Sequence, residues 1–138
     1  MNSINILISV NKKFFSHIEE LIFSVLYYSS SQINIYLMYQ ENELTDSDIL
    51  HISSFVKETG KGKIIPIKFD AKFLEGMPIT DNEGTFFGIE SYSRLFCAFN
   101  LPNDVSKVLY LDADMIVTGD IKELYDIDLE RKHMGCIP

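Results

Sequence analysis

An α/β domain on a largely parallel, twisted sheet flanked by helices is the fold class that this sequence predicts. Three observations carry the prediction. Strand-like and helix-like segments alternate as β-α-β-α-β from the start of the chain, which is the pattern of a parallel sheet. The strand segments are apolar almost throughout, as strands buried on both faces are. The chain has 138 residues, 46% hydrophobic and 23% charged, which is ordinary usage for one globular domain.

Residues 4–10, Ile-Asn-Ile-Leu-Ile-Ser-Val, read as the first strand. After Asn11-Lys12-Lys13, apolar residues at Phe14, Ile18, Leu21, Ile22, Val25 and Leu26 recur at helical spacing to about Tyr28. Ser29-Ser30-Ser31 is a break, and residues 33–39 read as the second strand. Thr45 followed by Asp48 is the pattern of a helix N-cap with an acid at N3, and Ile49, Ile52 and Val56 mark one face of that helix. Gly60-Lys61-Gly62 ends it, and residues 63–67 form a short third strand. Right-handed crossovers then place the strand C-termini on one edge of the sheet, with helices on both sides, and such sheets bind ligands at that edge.

Residues 70–85 carry Gly76, Pro78 and Gly84 and read as a loop. Ile89, Tyr92, Leu95, Phe96 and Phe99 predict a third helix that stops before Pro102, because the residue ahead of a proline disfavours helical geometry. A final apolar strand, Val108 to Leu111, runs into Asp112-Ala113-Asp114. Asp120 with Glu123 is expected to cap a short helix. The terminal Met134-Gly135-Cys136-Ile137-Pro138 resembles a strand beginning, so the domain, taken as one unit over 1–138, is expected to be cut short. An interrupted sheet leaves an unpaired edge, and self-association through it is expected.

Charge narrows the function. Twenty acids against 12 bases give a net charge of -8 with no basic cluster, which argues against nucleic acid as a partner. A phosphate ester bound by so acidic a chain needs a metal cation, helix N-termini or a few placed arginines. No apolar run is long enough to span a membrane, and no secretory signal is evident. Cys97 and Cys136 fit reduced thiols. The expectation is a cytoplasmic protein, with peripheral attachment at the inner membrane face as an alternative.

Residues i and i+2 of an extended segment point to one face, about 6–7 Å apart along the chain. Asp112 and Asp114 can then converge on one hard cation, for which carboxylate oxygens are suited. The plain alternative is a solvated turn or helix cap. His17, His51 and His133 have no metal-site spacing and read as surface histidines.

Ser91-Tyr92-Ser93-Arg94-Leu95-Phe96, Leu101-Pro102, Lys107-Val108-Leu109-Tyr110-Leu111-Asp112-Ala113-Asp114 and Gly119-Asp120-Ile121-Lys122-Glu123-Leu124-Tyr125 together resemble glycosyltransferase family 8. The resemblance spans nearly the whole chain. It implies a Rossmann-like GT-A fold and retaining transfer of a hexose from a UDP-sugar to a glycan or glycolipid acceptor, such as a bacterial surface polysaccharide. It implies Mn2+ (or Mg2+) at Asp112 and Asp114, and donor contacts from Ser9, Val10, Asn11, Phe14, Arg94, Asp112, Ala113 and Asp114. The family usually has aspartate where Asn11 stands and tyrosine where Phe14 stands. Asn11 is therefore either a contact to the uracil edge or a helix N-cap, and Phe14 either a stacking platform or a core residue. Arg94 is either a donor contact or a surface arginine lying along its helix. The family's later histidine ligand and acceptor-side motifs have no counterpart here, so this is expected to be the nucleotide-binding part.

Two other readings compete. A haloacid-dehalogenase-type phosphatase also uses D-x-D, but there the motif closes the first strand. A non-catalytic UDP- and metal-binding fragment is the second.

Overall fold

The computed structural model describes residues 3–70, 72, 95, 97–130, 132, 134 and 135. Its centre is β1 (Ile4–Ser9), buried on both faces, as its unbroken apolar run requires. A 3-10 turn at Phe15–His17 leads into α1 (Ile18–Tyr28), and β2 (Ile33–Gln40) follows. Then come α2 (Asp46–Glu58) and β3 (Gly62–Phe69). After the single-turn helix Cys97–Asn100, β4 (Leu109–Asp112) leads to another short helix, Lys122–Tyr125. The four strands are parallel in the order β3-β2-β1-β4.

That order explains the layering. Steps from β1 to β2 and from β2 to β3 run the same way, so right-handed crossovers put α1 and α2 on one face. There Ile18, Leu21, Ile22, Val25 and Leu26 of α1 and Ile52 and Val56 of α2 cover Ile4, Ile6, Ile8, Ile33, Ile35 and Leu37. The predicted placement of helices on both sides is therefore not met by these two. The step from β3 to β4 reverses past β1, and the described residues just ahead of β4 lie on the opposite face. Cys97, Leu101, Val105 and Val108 pack there over Leu7, Tyr36, Met38 and Phe69. An asparagine link crosses that face: Asn34 Nδ2 donates to Asn5 Oδ1 at 2.8 Å, and Asn5 Nδ2 to the Lys107 carbonyl at 3.3 Å.

The Thr45 capping box forms as predicted, with Asp48 N–H donating to Thr45 Oγ1 and Thr45 N–H to Asp48 Oδ2. Gly60 follows α2 with a φ of 66°, the left-handed geometry that ends helices. At Gly62 a Cβ would lie 2.9 Å from the Ile33 carbonyl, so β3 can approach β2 only with glycine there. The Asp120–Glu123 cap does not form. Ile121 is the N-cap residue, and Asp120 instead accepts from the Ser30 and Lys122 N–H groups. The Ser30 hydroxyl first, and then the Lys122 N–H, hold its carboxyl below the usual range. Of the predicted third helix, Leu95 and the single turn Cys97–Asn100 are described, and the rest of it, like the 71–85 loop apart from Lys72, lies outside the described residues.

The β3 edge carries Pro66, which has no N–H to offer, and exposed Lys63 and Lys68. These features discourage another strand from pairing there. No helix among the described residues is long and apolar enough to cross a membrane.

Candidate nucleotide site at the switch point

In the order β3-β2-β1-β4 the chain reverses direction between β1 and β4, and open α/β sheets bind ligands beyond the strand ends at such a point. The register pairs Ser9 with Asp112, so the C-termini of β1 and β4 lie side by side. Sequence residues about a hundred positions apart meet here. Ser9, Val10 and Asn11 leave one strand, and Asp112, Ala113 and Asp114 leave its neighbour.

The β1 side is anchored first by the backbone. Val10 N–H donates to the Met38 carbonyl at 3.0 Å, and the Val10 side chain is buried among the α1-side residues. Ser9, also buried, lies on the other face. Asn11 Oδ1 then accepts from the Phe14 N–H at 3.0 Å, which closes the turn 11–14; the helix N-cap considered for Asn11 does not form, because Phe14 and His17 occupy the N-cap positions of the 3-10 turn and of α1. Phe14 is 37% exposed and belongs to neither core cluster, which removes its core reading. Its ring has the Lys13 ammonium 5.5 Å from its centroid and the His17 ring at 6.3 Å, tilted by 53°.

The β4 side differs from expectation in one respect. The strand ends at Asp112, and Met115 N–H donates to the Asp112 carbonyl at 3.2 Å, so Ala113 and Asp114 are the corners of a tight turn. The same-face relation of an extended segment therefore does not apply to Asp112 and Asp114. Ala113 is buried against the α1-side core and holds the turn down. Asp112 is half-buried and Asp114 exposed. Asp112 Oδ1 accepts from the Tyr110 hydroxyl at 2.8 Å. The sequence signal for Tyr110 is its spacing, since residues two apart in β4 share a face.

The donor set fits a hard cation. Two carboxylates lie at one turn, one oriented by a hydroxyl, as metal-binding carboxylates commonly are. Among the described residues no third His, Cys, Asp or Glu clusters with them. His51 instead pairs with Glu19 of α1 at 2.7 Å, and His17 is exposed. Arg94, His133 and Cys136 lie outside the described residues. Cys97 is a free thiol, pushed up from its ordinary pKa by burial.

A four-stranded parallel sheet flanked by helices, with its strand order reversing beside the first strand, is the fold of the GT-A glycosyltransferases. The chain matches the family described as Glycosyl transferase family 8 over residues 5–138, and it belongs to that family. Among curated proteins it is 34% identical over 96 residues to Glycosyltransferase 8 domain-containing protein 1 of Danio rerio, covering 66% of this chain and 25% of that protein. It is 28% identical over 111 residues to glycosyltransferase GlyE of Streptococcus pneumoniae, covering 78% of this chain and 25% of that one. Among solved structures, galactosyltransferase LgtC in complex with donor and acceptor sugar analogs superimposes with a TM-score of 0.76 at 21% identity, over 91% of this chain and 43% of that chain. The chain thus spans a quarter of these two curated relatives. Family membership removes the phosphatase reading, as does the position of the acids at the end of the fourth strand.

Proposed function

We propose that this chain is the donor-binding part of a retaining hexosyltransferase that takes a UDP-sugar and a divalent cation, Mn2+ or Mg2+. The observation that carries the proposal is the Ser9–Asp112 register, which sets an aromatic turn beside an acidic turn at one sheet edge. A nucleoside diphosphate has those two needs: a flat surface for the base and charge compensation for the phosphates. Phe14 offers the ring. Asn11 fixes the turn that presents it, with Ser9 and Val10 as the rigid strand end beneath. Asp112 and Asp114 supply oxygen ligands, Tyr110 orients the first, and Ala113 seats the turn. A divalent cation held there stabilises the charge that builds on the diphosphate as the glycosidic bond breaks. Such compensation is needed in a chain of net charge -8.

Arg94 is proposed as a further donor contact on the strength of the family motif alone. The acceptor, a glycan or glycolipid, is proposed for the whole protein, as is a cytoplasmic site of action. Titration with UDP-glucose, UDP-galactose and UDP, each in Mn2+ and in EDTA, tests the reading. Binding that needs the cation is expected. Equal UDP affinity in EDTA and in Mn2+ contradicts it.

A further inference from the structure

The turn after β1 is held from a distance. Beyond the last backbone tie at Val10, the Lys12 N–H donates to Glu43 Oε2 at 2.9 Å, and the Lys12 ammonium donates to Asp48 Oδ2 at 2.7 Å. Both acids belong to the segment after β2, 31 and 36 residues along the chain. Their own positions are fixed locally. Glu43 follows a tight turn in which its N–H donates to the Gln40 carbonyl, with Asn42 at a φ of 70°, a geometry that asparagine tolerates. Leu44 is buried in the α1-side core, and Asp48 is the N3 residue of the α2 capping box. Two anchored acids therefore grip the one residue between Asn11 and Lys13.

We infer that Glu43 and Asp48 are positioning residues that clamp the 11–14 turn through Lys12 and so set where Asn11 and Phe14 meet a nucleobase. This rests on the donor-site reading above. A single tie of this kind near the surface is weak energetically. Its effect lies in restricting a turn that must present a ring at a fixed place, which binding otherwise has to order at its own cost.

Charge separates this role from a bulk effect. Glu43→Ala removes a negative charge, so long-range electrostatics predicts tighter binding of anionic UDP and unchanged binding of neutral uridine. The clamp predicts weaker binding of both. The experiment measures uridine, UDP with Mn2+ and inorganic diphosphate with Mn2+ on the full chain, for wild type, Glu43→Ala, Lys12→Met and Lys12→Arg. The expected result is about five-fold weaker uridine and UDP binding for Glu43→Ala and Lys12→Met, with recovery in Lys12→Arg. Diphosphate affinity should stay within two-fold, because the β4 turn is untouched. It also reports any general loss of fold, and Lys12→Met supplies the test if Glu43→Ala is poorly folded. Unchanged uridine affinity in both variants, or tighter UDP binding in Glu43→Ala, overturns the clamp. Failure of the wild type to bind either uridine or UDP overturns the nucleotide reading instead.

Discussion

Both turns close through a backbone bond, Phe14 N–H to the Asn11 carbonyl after β1 and Met115 N–H to the Asp112 carbonyl after β4, but the first is gripped from outside by the side chains of Glu43 and Asp48, whereas the second is seated by burial of Ala113. The first presents an aromatic ring flanked by an ammonium; the second presents two carboxylates with a hydroxyl on one of them. Both spring from neighbouring strands in fixed register, so the sheet supplies their spacing and each turn supplies its own chemistry. A platform for a neutral planar group needs orientation, which side-chain ties from another segment provide. A cation site needs mainly charge and oxygen atoms in reach, which a short local turn can deliver.

The largest expected effect falls on the β4 turn. Asp112→Ala and Asp114→Ala should each weaken UDP binding in Mn2+ by about a hundred-fold, because each removes a ligand and half of the local negative charge. Tyr110→Phe, which leaves both ligands in place, should cost about ten-fold in the same titration. Uridine binding should be unaffected by all three. A loss of uridine binding in any of them would break the division between the turns.

A smaller effect is expected at the ring. Phe14→Ala should weaken uridine and UDP alike by about ten-fold, the scale of one base-on-aromatic stack, whether or not the cation is present. Phe14→Tyr should retain affinity. A Phe14→Ala penalty seen only in the presence of Mn2+ would place the ring with the phosphates rather than the base.

The smallest effect is on stability and follows from Asp48. The Lys12 ammonium, then the Thr45 N–H and hydroxyl, hold its carboxyl below the ordinary 3.8, at about 2. A carboxylate with a depressed folded-state pKa stabilises the fold above its unfolded value and loses that contribution as pH falls through the folded one. Wild type should therefore melt a few degrees above Asp48→Asn at pH 7, and the gap should close between about pH 4 and pH 2. A gap that persists at pH 2 would show that packing, not charge, sets it.

The same contrast explains what could be read from the chain beforehand. β1, β2 and α2 were legible because unbroken apolar runs and the Thr45–Asp48 box are local signals. The acidic turn is legible for that reason too, although the extended geometry expected through Asp114 stops at Asp112: nothing in Asp112-Ala113-Asp114 announces that the backbone bends at Ala113. Helix sidedness was not, because it depends on strand order, and only the return of β4 to the far side of β1 reveals the switch point. Asp120 was misassigned as a cap because its partner, the Ser30 N–H, lies 90 residues away. The Lys12 clamp had no sequence signal for a similar reason.

Amide chemical shifts in the isotopically labelled chain, followed during titration with uridine and then with UDP and Mg2+, test the central claim most directly. Uridine should move signals of residues 11–17 and leave 112–115 in place, and UDP with Mg2+ should move both sets. Movement of both sets by uridine alone, or of neither by UDP with Mg2+, would contradict a site divided between the two turns.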